Sequence, residues 1–96
     1  MFGERLRQLR LEKKVSMRTL AQKAAIDFSY ISQIEHGKRQ PSRDVIVRLA
    51  RALKADADEL LVVAGHLPED VGEILGRDPR RSLDLIRETL ARYGKP

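Results

Sequence analysis

The side chains able to do chemistry in this sequence are narrow in kind. There are two histidines, His36 and His66, and no cysteine, which excludes a disulfide framework, a thiolate zinc site and a cysteine nucleophile. No GxSxG, no HExxH and no phosphate-cradling glycine loop occurs, and a chain of 96 residues offers no serine, histidine and acid set with a pocket to work in. No enzymatic chemistry is expected, and no metal or cofactor. What remains is charge and hydrogen bonding. The net charge of +5 hides an imbalance, because residues 1–55 hold 13 Lys and Arg against 5 Asp and Glu, whereas residues 56–96 hold 6 against 9. A basic half of this kind attracts phosphate, since Lys and Arg gain from releasing counterions condensed on a polyanion. Membrane-surface binding would need a broad apolar face beside the charge, and the basic half has none left once a core is built. No run approaches the roughly 20 apolar residues of a spanning helix, so the chain reads as one small soluble protein without a membrane partner.

Helices have to position these groups. Aromatic residues are only Phe2, Phe28, Tyr30 and Tyr93, so the core must be aliphatic, a composition that favours helix. A first amphipathic helix is predicted from Gly3 to about Lys14, with Phe2, Leu6 and Leu9 at helical spacing. Ser16 caps a two-turn helix over residues 17–24, and the Asp27 carboxylate caps a third over residues 28–35. Gly37 ends that helix where a left-handed residue is wanted. Pro41 keeps the basic loop 38–42 non-helical, and Ser42 caps a fourth helix over residues 43–53. A fifth runs from about Ala57 to Ala64, before Gly65. Beyond it a short helix over residues 69–75 is closed by Gly76. Pro79 then opens a last helix to Tyr93, with Leu83, Ile86, Leu90 and Tyr93 on a narrow stripe. No strand pattern and no internal repeat appears. The fold class is therefore all-α, with five helices in residues 1–65 and a two-helix C-terminal appendage in residues 66–96.

Residues 20–37 set two short helices across a brief turn, with small Ala21 where the pair must approach and Ile26, Ile31 and Ile34 facing inward. That is helix-turn-helix spacing. At these residues, and over residues 3–61 as a whole, the chain resembles the phage-repressor and Cro-type helix-turn-helix family, also called the xenobiotic-response-element family. The resemblance is carried by Leu20-Ala21, by the run from Ile31 to Ser42, by Leu49-Ala50-Arg51-Ala52-Leu53 and by Asp58-Glu59-Leu60-Leu61, in family order and spacing. Two positions depart from the family pattern. Ala25 stands where the turn usually has Gly, at a cost on the order of 1 kcal/mol if it is left-handed. Met17 stands where the second helix often begins with Gln, which leaves a thymine methyl as its available base or backbone contact.

The resemblance implies a sequence-specific transcriptional regulator of double-stranded DNA, most simply a repressor, that lays its third helix in the major groove. The outward side chains Phe28, Ser29, Ser32 and Gln33 are then the base readers. Gln33 is able to bond adenine N6 and N7 together, the serines suit either base type, and Phe28 can lie on a thymine methyl. With no Arg or Lys on that helix, the set favours A·T-containing half-sites. Arg18, Tyr30, Lys38, Arg39, Ser42 and Arg43 are expected at phosphates, where they position rather than specify. Arg10 and Glu35 are assigned to the fold as an ion pair, as in the family. His36 reads as a helix-end residue and His66 as a loop residue without a task.

One reading helix spans few base pairs, so a homodimer on two half-sites is expected. Its candidate surfaces are Val62 and Val63 and the stripe Leu83, Ile86, Leu90 and Tyr93, which can alternatively cover the chain's own core. The competing reading is an antitoxin or bridging factor whose residues 56–96, acidic overall, grip a protein partner. Either role places the chain in the cytoplasm, the regulator at the nucleoid.

Overall fold

In the computed structural model, which describes residues 1–93, seven helices follow one another: α1 (Phe2–Glu12), α2 (Met17–Ala24), α3 (Phe28–Glu35), α4 (Arg43–Leu53), α5 (Ala57–Val63), α6 (Glu69–Arg77) and α7 (Pro79–Tyr93). The chain divides into two compact units, Met1–His66 and the part from Leu67 onward.

Helix ends in the first unit share one local solution. Each of its five helices stops at a left-handed residue, namely Lys14, Ala25, Gly37, Lys54 and Gly65. At each stop two amides turn back onto the last carbonyls. Gly37 N–H reaches Ile34 O at 3.0 Å and Lys38 N–H reaches Gln33 O at 2.8 Å; the pair at Ala25 and Ile26 reaches Gln22 O and Ala21 O at 3.3 and 3.0 Å. This double closure satisfies carbonyls that the helix itself leaves unpaired. It also moves two predicted ends: α1 stops at Glu12, with Lys14 already left-handed, and α5 stops at Val63. Helix starts follow the side-chain oxygens. Ser16 Oγ accepts from the Thr19 amide at 3.0 Å, Ser42 Oγ from the Val45 amide at 3.3 Å, and Asp56 Oδ1 from the Asp58 amide at 2.9 Å. Asp27 differs from expectation. It stands at the N-terminus of α3 without bonding the helix amides, and its carboxylate accepts from Ser29 Oγ at 3.0 Å instead.

The core follows from the apolar stripes. Leu6 of α1, Leu20 of α2, Ile31 and Ile34 of α3, and Ile46, Leu49 and Leu53 of α4 are sealed from solvent. α4 packs on α2 and α5, and α3 packs on α1 and α2. Gly3 explains how α1 approaches so closely, since a Cβ at that position would lie 2.2 Å from the Ile34 carbonyl oxygen. This close approach sets α1 against the C-terminal end of α3.

In the second unit α6 packs on α7, and neither helix buries a residue fully. α6 runs through Gly76 to Arg77 instead of closing at that glycine. Asp78 is the residue that leaves the helix, at φ −144° and ψ 80°, because the following Pro79 excludes helical geometry at its neighbour. Asp78 Oδ1 then accepts from the Arg81 amide at 3.3 Å and opens α7.

Candidate nucleic-acid interface

The turn between α2 and α3 is the three residues Ala25, Ile26 and Asp27. Ala25 adopts φ 54° and ψ 47°, a conformation that costs an L residue on the order of 1 kcal/mol relative to glycine. Two contacts hold it there. Ile26 is buried in the core, and Arg48 of α4 donates from Nε to Ala24 O at 3.1 Å and from Nη2 to Ala25 O. Sequence spacing alone did not single out Arg48 for this brace. The available signal was its position directly before buried Leu49 and three residues after buried Val45, at the edge of the packed stripe.

With Ile31 and Ile34 inward, α3 turns Phe28, Ser29 and Gln33 to solvent, with Ser32 half-buried beside them. Glu35 would oppose any anion on that face, but its side chain is only 4% exposed. Arg10 Nε meets Glu35 Oε2 at 2.7 Å and Arg10 Nη2 meets Oε1 at 2.9 Å. The remaining arm of Arg10 donates to Val15 O at 3.1 Å. Hydrogen bonding to Glu35 holds the Arg10 guanidinium pKa above its ordinary value, with the carboxylate charge adding to it and burial opposing it. A raised cationic pKa means that this contribution to stability is lost only as pH rises past that value, so Arg10 stays charged at any working pH. The C-terminal end of α3 is closed by His36, whose Nδ1–H donates to Ser32 O at 2.7 Å.

Cations flank the exposed face. Arg18 of α2 sits with Cζ 5.3 Å from the centroid of the Phe28 ring, and Arg39 with Cζ 4.7 Å from that of Tyr30. Arg39 also donates from Nε to Gln33 Oε1 at 2.9 Å, so it folds back onto α3 and puts a guanidinium beside a helix that carries no Arg or Lys of its own. Lys38, Ser42 and Arg43 are exposed after the helix. Met17 and Tyr30 are half-buried and pack against the core, which leaves only part of each side chain to meet a ligand. Elsewhere in the first unit, exposed Val62 and Val63 border a groove that Leu9 and Leu60 also line. In the second unit Leu83, Ile86, Leu90 and Tyr93 are all exposed.

Residues 1–62 match the family model described as a helix-turn-helix domain. The chain belongs to this helix-turn-helix family. Within that family it is 42% identical over 69 residues to the HTH-type transcriptional repressor RghR of Bacillus subtilis, an alignment covering 71% of this chain and 51% of RghR. The chain thus spans about half the length of the first relatives it matches. Among solved structures, the restriction-modification controller protein C.AhdI of Aeromonas hydrophila is 44% identical with a TM-score of 0.60, covering 62% of this chain and 89% of that one. The solved complex of the SinR protein with the SinI protein holds a chain 27% identical with a TM-score of 0.61, covering 99% of this chain and 100% of that one. The Cro-type resemblance and the all-α fold class are both met by these findings and by the seven helices. Among the described residues no helix is long and apolar enough to cross a membrane.

Proposed function

We propose that this helix-turn-helix chain binds double-stranded DNA sequence-specifically and represses transcription by covering a promoter. The observation that carries the reading is the inward turn of Glu35 onto Arg10. It strips the only acid from α3 and leaves Phe28, Ser29 and Gln33 as an uncharged, hydrogen-bonding face between the cations Arg18 and Arg39. A helix of this width fits the major groove, where base edges offer the complementary donors and acceptors. Phe28, Ser29, Ser32 and Gln33 read bases. Arg18, Lys38, Arg39, Arg43, Ser42 and the hydroxyl of Tyr30 meet phosphates, and Met17 touches an outer base or the backbone.

Two copies act together on two half-sites, with Val62 and Val63 or the α7 stripe as their contact, in a cytoplasmic protein that works at the nucleoid. A second reading is supported by the exposed apolar residues of α6 and α7. There the appendage holds a separate protein partner, as an antitoxin or bridging factor would. Selection of bound duplexes from a random pool, followed by band shifts at several salt concentrations, tests the first reading. A preferred site emerges, and log affinity falls with log salt by roughly 0.9 for each phosphate neutralised, about 4 to 5 for a half-site gripping on the order of four to six. A folded chain that selects no site defeats that reading and leaves the second.

A further inference from the structure

From the contacts of Ser29 and Gln33 we infer that the reading face of α3 has a preset polarity, imposed by Asp27 and Arg39, that turns Gln33 toward guanine rather than adenine. The inference rests on the DNA-binding reading above and goes beyond it. An amide side chain can face either way, and a neighbour that only donates decides which. Arginine carries five N–H donors and no acceptor, so the Gln33 atom 2.9 Å from Arg39 Nε has to be the carbonyl oxygen. Stacking of the same guanidinium on Tyr30, at 4.7 Å, fixes where that donor stands, because Tyr30 is itself packed on the core.

The Gln33 NH2 group therefore points away from Arg39 with both hydrogens available to a ligand. At the other end of the helix the logic is reversed. A carboxylate only accepts, so the Ser29 hydroxyl proton lies toward Asp27 Oδ2, 3.0 Å away, and Ser29 presents lone pairs.

In the major groove guanine shows two adjacent acceptors, O6 and N7, whereas adenine shows the N7 acceptor beside the N6 donor. An outward NH2 group matches guanine and meets the adenine N6 group donor to donor. Bidentate bonding to adenine needs the Gln33 oxygen turned to the base, which Arg39 opposes. Ser29, as an acceptor, suits the N4 group of cytosine or the N6 group of adenine. Arg39 is thus a positioning residue for Gln33. A pure phosphate grip would leave base preference untouched.

Site selection with the full chain and three variants, Arg39→Ala, Gln33→Ala and the double variant, tests this. Thermal melts of each variant check that these changes at exposed positions leave the fold intact. The unaltered chain should select guanine over adenine at one position of each half-site by about tenfold. Arg39→Ala should reverse or erase that ratio, Gln33→Ala should abolish preference at the same position, and adding Arg39→Ala to Gln33→Ala should change the base ratio there no further. Uniform weakening by Arg39→Ala with the preferred base unchanged overturns the inference while leaving the DNA-binding reading intact. Failure of the unaltered chain to select any site overturns both.

Discussion

Residues 1–66 and residues 67–93 are both built from amphipathic helices, but only the first set seals its apolar stripe. α4 lays Val45, Ile46, Leu49, Ala50 and Leu53 into a core shared with α2 and α5. α7 carries Leu83, Ile86 and Leu90 at comparable spacing and leaves all three exposed. Five helices can surround a common interior, whereas a helix in a hairpin has one neighbour and keeps most of its surface in water. Amphipathic spacing therefore states that a face wants cover without stating what covers it. Charge separates the two parts less sharply than burial does: residues 1–66 hold 13 Lys and Arg against 8 Asp and Glu, whereas residues 67–96 hold 6 against 6.

The comparison breaks most readily at the Arg10–Glu35 pair, which joins α1 to α3 and has no counterpart in α6 and α7 among the described residues. Glu35→Leu leaves the Arg10 charge buried without a partner, and removal of one member of a buried pair costs about 3 to 5 kcal/mol. Urea unfolding monitored by circular dichroism should show the midpoint fall accordingly at constant slope. A loss below about 1 kcal/mol would mean that water reaches the pair.

Next in size is one substitution made in both regions. Leu49→Ala removes a fully buried side chain and should cost about 2 to 5 kcal/mol through lost burial and the cavity left behind. Leu90→Ala, at an exposed position, should change stability by no more than about 0.5 kcal/mol at protein concentrations low enough to keep copies apart. Loss of stability by Leu90→Ala that grows with protein concentration would identify the α7 stripe as the contact between copies.

Helix starts and stops were legible where a single side chain decides them. α2, α3 and α4 fall where Ser16, Gly37 and Ser42 place them. Other features were illegible because they depend on contacts between distant parts of the chain. Arg48 braces a turn 23 residues away, Gly3 admits the Ile34 carbonyl, and Arg39 returns to Gln33. The left-handed stops at Lys14, Ala25 and Lys54 form a third class. No glycine marks them, but each is followed by a residue, Val15, Ile26 or Ala55, that packs on the core. The two glycine stops are followed instead by the polar residues Lys38 and His66. Burial of the next side chain offsets the conformational cost where glycine is absent, so the sequence signal sits one position later than the backbone it controls.

That contrast is sharpened by the smallest expected effect, a change of sign for one substitution in the two regions. Gly37 has φ +73° and Gly76 is helical; a Cβ at either meets nothing within 4 Å. Packing is thereby removed from both tests, and backbone conformation alone decides the result. Gly37→Ala should destabilise the first unit by about 1 kcal/mol, because an L residue strains the left-handed stop. Gly76→Ala should instead strengthen α6 by about 0.5 to 1 kcal/mol, since alanine favours a helix interior that glycine weakens. Amide hydrogen exchange reads both locally, with protection falling at the end of α3 in the first variant and rising along α6 in the second. Falling protection along α6 would mean that Gly76 stops the helix as its type suggests, and that Pro79 is not what turns Asp78 out.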